Sequence, residues 1–349
     1  MTTPTYWERL AILPRLLPLP FILAYTALSS LFATRKKSLS RILNERSVRY
    51  ITSHLSVSQL QWMSPPASST YRRWVKAHRM EELTEMTNEG VKLMWMGKPT
   101  KNIIFVAHGG AYMFPLSDPI INFWFSIRRE LELQGHDIGI VFVEYSLYPN
   151  PFPTQLTQLI HGLTHIFKSY PSSNIHVAGD SAGANLVLQL LGHTIHPIPD
   201  ADVPPSPLTF NHVRGVMLMS PWTSPGLSVS SSPTSVNLDV LSRETIEEWG
   251  NLYIQYASPS HLPYIRFSNG VKGIGTYVDR AFIFVGGVDH LRDDGLGVYE
   301  VLKEELGEKA VLEYQEDGVH NDPMFHVASG AKELNEVGKR MVYWLAAGL

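Results

Sequence analysis

The pentapeptide GDSAG at residues 179–183 constrains the fold more than any other part of this sequence. The residues before it, 175–178, are apolar and partly β-branched, which predicts a buried strand. The residues after it, 184–191, predict a buried helix that Gly192 can terminate. A strand, a sharp turn and a helix in this order can lift Ser181 above a parallel sheet as a nucleophile, although ordinary turns share the pattern.

A second glycine-rich loop lies upstream. Residues 103–107 predict another buried strand, which runs directly into HGGAY at residues 108–112. This loop resembles the HGGG-type oxyanion loop of lipases and esterases. We expect the N–H groups of Gly109, Gly110 and Ala182 to form an oxyanion hole, where each donor lowers the barrier by roughly 3–4 kcal/mol. A simple glycine turn is the alternative, and the downstream GDSAG disfavours it.

A candidate acid follows a late strand. Residues 281–287 predict a strand and a turn, and Asp289 lies just after them, at the edge where loops of a parallel sheet build a site. Asp293 and Asp294 are rival acids, but they lie further along, where a helix is expected to begin. A solvated carboxylate in the first turn of a helix explains both rivals without catalysis.

A candidate base follows the last predicted strand, residues 311–314. His320 lies in the loop after it, whereas the rival His326 is expected in or beside a helix. The order serine, aspartate, histidine along the chain is the order that an α/β-hydrolase fold requires. In this scheme Ser181 attacks an acyl carbon, His320 takes and returns the proton, and Asp289 holds the imidazole in the right tautomer.

Four segments in the correct order resemble the hormone-sensitive-lipase-like branch, also called fold-3, of the α/β-hydrolase superfamily, over roughly residues 100–349. The resemblance implies a mostly parallel, doubly wound sheet with helices on both faces and a helical cap. It also implies Ser181, Asp289 and His320 as the triad, with His108 and Asp180 as motif support and no metal or organic cofactor. The segments are HGGAY at 108–112, EYSLYP at 144–149 with FP at 152–153, GDSAGANL at 179–186 and DHLRDDG at 289–295.

Composition narrows the function further. The 349 residues suffice for one large α/β domain with additions. The net charge of −3 gives no support for nucleic-acid binding. The absence of cysteine excludes disulfides, thiolate catalysis and cysteine-based metal sites.

The N-terminal segment, residues 1–37, contains an uncharged run at residues 16–33 that is followed by basic residues up to Arg41. Eighteen residues reach the threshold for a membrane-spanning helix, but Pro18 and Pro20 shorten the regular part. The segment could therefore span a membrane, lie in its interface or cap the active site. The positive-inside rule would keep the catalytic domain on the cytoplasmic side of an endomembrane. We expect membrane association, with a cytoplasmic protein as the alternative.

The remaining organisation has three parts. Residues 38–88 predict an N-terminal cap region, and residues 89–349 the catalytic domain, with a cap insertion at about 223–275 that is too long for a plain crossover. We expect Trp249, Tyr253 and Tyr256 of this insertion to pack the cap onto the sheet; lining a substrate pocket is the alternative.

The motifs thus predict a serine carboxylic-ester hydrolase. The family resemblance, together with the apolar N-terminus, implies that its partner is a small ester, lipophilic and with a short acyl group, such as the acetate of a sterol or secondary metabolite. An amidase or formamidase with the same triad, and an acyltransferase favoured by a dry pocket, remain open. A binding protein that retains the scaffold without hydrolysis is the alternative of another class.

Overall fold

The computed structural model describes residues 2–30, 37–228, 238–268 and 270–349. Residues 31–33 of the uncharged run, and Arg35 and Lys36 of the basic stretch, lie outside these ranges. The core of the molecule is an eight-stranded sheet. Its strands are β1 (Leu83–Met86), β2 (Lys92–Met96), β3 (Asn102–Ala107), β4 (Ile138–Glu144), β5 (Ile175–Asp180), β6 (Gly215–Met219), β7 (Ala281–Gly286) and β8 (Ala310–Gln315). They lie in the order β1-β2-β4-β3-β5-β6-β7-β8 across the sheet.

Pairing is parallel from β4 to β8 across the sheet and antiparallel for β1 with β2 and β2 with β4. Strands β3 to β7 are buried almost throughout and rich in β-branched and aromatic residues, as expected for a sheet covered on both faces. The predicted fold class, an α/β-hydrolase sheet, is confirmed. The sheet begins at Leu83, so the predicted domain boundary at residue 89 falls within its first hairpin.

Helices cover both faces of the sheet. They are α1 (Tyr6–Leu10), α2 (Ile12–Leu16), α3 (Leu19–Ser29), α4 (Leu39–His54), α5 (Val57–Met63), α6 (Ala67–Ala77), α7 (Asp118–Leu133), α8 (Thr154–Ser169), α9 (Ala182–Ile195), α10 (Arg243–Ile254), α11 (Leu262–Ile265), α12 (Arg292–Leu306), α13 (Asp322–Ala328) and α14 (Glu336–Ala346). One hydrophobic cluster joins α8, α9 and α12 to one face of the sheet, and a second joins α6, α7 and α14 to the other.

Helix α9 follows the GDSAG turn, as the sequence predicts, but it continues past Gly192 to Ile195. The prediction that Gly192 terminates it is therefore wrong. Residues 192–194 are buried, and the Thr194 hydroxyl donates to the carbonyl of Leu190 within the helix. Tertiary packing thus holds the last turn in place against the weak helix propensity of glycine.

Candidate active site

The turn between β5 and α9 holds Ser181 in a strained conformation, with φ 53° and ψ −117°. Such a conformation persists only where the surroundings over-determine it, and it raises the free energy by about 1–3 kcal/mol. The Ser181 N–H donates to the Met219 carbonyl of neighbouring β6 at 2.8 Å. A Cβ atom at Gly183 would overlap the Ala107 carbonyl oxygen, so glycine is required where helix and strand pass this closely.

Strain is concentrated around this turn. Of the seven non-glycine residues with positive φ in the described chain, five lie in the loops at the carboxyl edge of the sheet that surround Ser181. Residues in this state cluster at active sites, where the fold compensates for them. The five are Ala111, Tyr112, Ser181, Ser220 and Asn321.

His320 and Asp289 meet in the loops after β8 and β7. The His320 Nδ1 atom lies 3.2 and 3.1 Å from the two carboxylate oxygens of Asp289, and both side chains are buried. This contact directs Nε2 away from the acid, toward the cavity that Ser181 also lines. Burial alone lowers the pKa of His320, but the facing carboxylates of Asp289, Asp239 and Asp180 raise it to about 9.

The rival acid and base residues take no part in this contact. Asp294 accepts hydrogen bonds from the Thr223 N–H at 2.7 Å and the Ser224 hydroxyl at 2.8 Å, so it fixes the loop after β6. Asp293 bonds to Arg292 at the start of α12. His326 lies on α13 and contacts the Glu333 carbonyl at 3.1 Å.

One of the three predicted oxyanion-hole donors, the Gly109 N–H, already has a hydrogen-bond partner in the structure. The Gly109 N–H donates to Asp180 Oδ1 at 2.8 Å, contrary to its predicted role as a free donor. Gly110, at φ 112°, and Ala111 line the cavity, and within the described chain their N–H groups have no protein acceptor. Ala111 stands where the HGGG-type pattern has its third glycine. Ala182 is the first residue of α9, where an N–H is free by helix geometry.

The two motif-support residues act beneath the loops. Asp180 accepts from Gly109 and, at 3.0 Å, from the Asn321 side-chain amide, so it ties the glycine loop to the base loop. Burial raises the pKa of Asp180 to about 6. His108 is buried and stacked on Tyr145 with ring centroids 4.4 Å apart. Burial lowers the pKa of His108 to about 4, so it is neutral at pH 7.

A cavity of about 580 Å³ opens onto Ser181 and His320. Its walls come from both cap parts, from the loop before α7 and from α13, and they include Val48, Phe114, Leu241, Trp249 and Phe325. Trp249 therefore lines the pocket while it also packs against Phe114, with ring centroids 5.0 Å apart.

The other two aromatics proposed to pack the insertion onto the sheet, Tyr253 and Tyr256, are not among the residues that line this cavity. Tyr253 is buried and stacked on Tyr112, with ring centroids 4.0 Å apart, as the packing interpretation predicts. Tyr256 is 65% exposed.

Sequence reasoning missed four residues that support this site: Asp239, Asn321, Arg41 and Arg49. Arg41 of α4 forms a buried ion pair with Asp322, two residues after His320, at 2.6 Å. Arg49 of the same helix donates to the carbonyls of Asp239 and Leu241 at 2.9 and 2.8 Å. No motif marks Asp239, Arg41 or Arg49, since they reach the site from segments distant in the sequence. Asn321 adjoins His320, but the partner of its side chain, Asp180, is 141 residues away.

The fold and the site together define an α/β-hydrolase with a candidate serine triad. A family model described as an alpha/beta hydrolase fold matches residues 104–323, and the chain belongs to this family. The branch predicted from the four motifs, the hormone-sensitive-lipase-like hydrolases, is thereby confirmed. A comparison with curated proteins finds no match.

Solved structures share this fold at low sequence identity. An esterase from the bacterial hormone-sensitive lipase family is 18% identical with a TM-score of 0.62, over 94% of this chain and 96% of that one. Carboxyl esterase 2 from the mycorrhizal fungus Tuber melanosporum is 18% identical with a TM-score of 0.61, over 77% and 87%. An esterase/lipase from an uncultured bacterium is 17% identical with a TM-score of 0.60, over 89% and 97%.

Proposed function

We propose that this protein is a serine carboxylic-ester hydrolase that cleaves lipophilic esters with a short acyl group through an acyl-serine intermediate. One observation carries the proposal: Ser181, His320 and the glycine loop line a single cavity with mostly apolar walls. Such a cavity favours an apolar alcohol or acyl group and excludes water around the reacting carbonyl.

The chemistry follows from the placement of the groups. Ser181 Oγ attacks the ester carbonyl carbon while His320 Nε2 takes the hydroxyl proton. The N–H groups of Gly110, Ala111 and Ala182 are the proposed donors to the resulting oxyanion. The tetrahedral intermediate collapses to the acyl-serine, and His320 gives its proton to the departing alcohol. Water then attacks the acyl-serine by the same route and releases the acid and free Ser181.

The test combines turnover with covalent labelling. Purified protein is assayed against p-nitrophenyl acetate, butyrate and octanoate and against a bulky apolar alcohol acetate, and it is treated with a fluorescent alkyl phosphonate. Ser181→Ala should lose turnover by a factor on the order of 10⁶ and lose labelling. Ser260→Ala, which alters an exposed serine, should match the wild type. Turnover by Ser181→Ala near the wild-type rate would contradict the proposal.

The alternatives predicted from the sequence give different outcomes in the same assay. Faster cleavage of an aryl formamide than of the matching acetate would indicate an amidase. Net transfer of the acyl group to an added alcohol, in place of water, would indicate an acyltransferase. A folded protein whose Ser181 resists the phosphonate would indicate a binding protein.

We also propose that the N-terminal segment attaches the protein to a lipid surface. Among the described residues, Tyr6–Ser29 is long and apolar enough to cross a membrane by length and composition, and none of it is buried. Polar contacts hold this segment against the cap: Arg15 donates to Gln59 at 2.7 Å, and Tyr50 donates to the Arg15 carbonyl at 3.0 Å. Its outer face carries the exposed side chains Tyr6, Trp7, Leu10, Leu13, Leu17, Phe21, Tyr25 and Leu28.

A helical segment that is docked on one side and apolar on the other suits an interfacial position better than a spanning one. The full chain should co-float with phosphatidylcholine vesicles, and a Trp7→Ser, Phe21→Ser, Tyr25→Ser triple variant should remain in the soluble fraction. The control is Leu133→Ser, which removes an exposed apolar side chain elsewhere on the molecule. Equal flotation of the triple variant and the wild type would contradict an interfacial attachment through this face.

A further inference from the structure

A second buried carboxylate lies beside the triad. Asp239 belongs to the insertion, just before α10, and only 3% of its surface is exposed. No motif includes it, and it lies 50 residues before Asp289 in the sequence. Its burial requires hydrogen-bond partners, because an isolated buried carboxylate is strongly destabilising.

Those partners are the main-chain amides of the two triad loops. Asp239 Oδ2 accepts from the N–H of His290, the residue after Asp289, at 3.0 Å. Asp239 Oδ1 accepts from the N–H of His320 itself at 2.8 Å. The same oxygen accepts from the Val240 N–H at 2.8 Å. One carboxylate therefore bridges the acid loop and the base loop.

The bridge is anchored to the cap. Arg49 of α4 donates to the main-chain carbonyls on either side of Val240, those of Asp239 and Leu241. Val240 and Leu241 both line the substrate cavity. The segment that carries the bridging carboxylate is thus part of the pocket wall, and the N-terminal cap holds it in place.

Several charged groups face this carboxylate. Asp289 faces it from the loop after β7, and His320 from the loop after β8. Arg49 faces it from α4. Asp180, at the end of β5, acts on His320 and so reaches Asp239 only indirectly. His290 contributes its N–H, while burial lowers the pKa of its ring. Burial, and then the charge of Asp289, raise the pKa of Asp239 to about 7. Conversely, the charge of Asp239 favours the protonated form of His320.

We propose that Asp239 is a positioning residue, which fixes the main chain of His320 relative to that of Asp289 and adds a second negative charge behind the imidazole. This inference rests on the proposed hydrolase function. It assigns Asp239 no contact with substrate: its effect passes through His320. A displacement of His320 by about 1 Å would lower the rate by about a hundredfold.

The test compares three variants. Asp239→Asn keeps the shape of the side chain and removes its charge. It also replaces one accepting oxygen with an NH₂ group, so that two hydrogen-bond donors then face each other. Asp239→Glu keeps the charge on a longer side chain. Asp294→Asn is the matched control, because it removes another carboxylate near the site that bonds to neither triad loop.

For Asp239→Asn we expect kcat to fall by about a hundredfold with KM little changed, and the acidic limb of kcat/KM to move to lower pH. Asp239→Glu should lower kcat but leave the acidic limb at its wild-type pH, since the charge is retained. Asp294→Asn should keep both wild-type kcat and the wild-type limb. A general loss of stability would not reproduce this separation of kcat from the pH profile.

The inference is overturned if folded Asp239→Asn retains the wild-type kcat and pH profile. Should Asp239→Asn not fold, a wild-type kcat in Asp239→Glu would overturn it equally. An NMR titration measures the pKa of the His320 ring without any substrate, with the ring signal assigned by its loss in His320→Gln. The pKa of His320 should be lower in Asp239→Asn than in the wild type. An inert wild-type protein would therefore remove the proposed hydrolase function, and the titration would still decide whether Asp239 acts on His320.

Discussion

The two sides of the candidate active site are built in different ways. The nucleophile side is one continuous stretch, β5, the turn and α9, in which every residue from 175 to 194 is buried. The base side brings together the loop after β7, the loop after β8, the segment before α10 and the cap helix α4. Close packing of the main chain holds the first side, whereas buried side-chain ion pairs and hydrogen bonds hold the second.

This difference predicts where each side is sensitive. The nucleophile side should respond to added volume, because its segments pass at the closest distance that glycine allows. The base side should respond to the removal of charge or of a hydrogen-bond partner, because buried polar groups are expensive to leave unpaired. The following changes test that contrast.

The largest effect should come from the acid of the base side. Asp289→Asn should lower kcat by about 10⁴-fold, since the His320 tautomer and the charge behind it are lost. Steady-state turnover of p-nitrophenyl acetate measures this. Asp293→Asn, four residues along the chain, is the control and should turn over within about threefold of the wild type if Asp289 is the acid. Equal losses in the two variants would leave the assignment of the acid without support.

The next effect should come from the cap. Arg41→Met removes one partner of the buried Arg41–Asp322 pair and should lower the free energy of unfolding by about 3–5 kcal/mol. Urea denaturation followed by fluorescence measures the loss. Arg72→Met breaks an exposed pair with Glu82 and should change stability by less than about 1 kcal/mol. Similar losses in both variants would show that the cap does not hold the base loop.

A smaller effect is expected on the nucleophile side. Gly183→Ala places a methyl group against the Ala107 and His108 carbonyls and should destabilise the protein by about 1–3 kcal/mol. Gly297→Ala adds the same methyl group where nothing lies nearby and should stabilise α12 by about 0.5–1 kcal/mol. Thermal unfolding of the pair measures both. Stability losses of equal size would contradict a role for close packing at the turn.

The mildest test changes only pH. The carboxylates around His320 raise its pKa above the ordinary value of 6.5, and only the neutral ring can act as base. Activity should therefore rise with pH above 6.5, by up to tenfold per unit on the acidic limb. The raised pKa also stabilises the fold fully below pH 6.5, and this contribution is lost as the pH rises toward about 9. His326→Gln should leave the profile unchanged.

Residues placed by the order of strands could be predicted from the sequence, whereas contacts between distant segments could not. Ser181, Asp289 and His320 could be proposed in advance because each follows a strand of the parallel sheet, and parallel strands bring their carboxyl ends to one edge. The role of Gly109 could not, because the competing acceptor, Asp180, is 71 residues away in the sequence. Asp239 carries no local signal at all: an acidic residue before a helix usually reads as part of a cap or a solvated turn.

The sequence by itself determined the sheet, the turn at Ser181 and the order of the candidate catalytic groups, because strand patterns and glycine spacing are local properties. The tertiary structure decided which N–H groups remain free, which carboxylates surround His320 and which cap residues line the cavity. These depend on groups far apart in the chain that come within 3 Å of each other only after folding. Burial then makes each of those contacts strong, since water no longer competes for them.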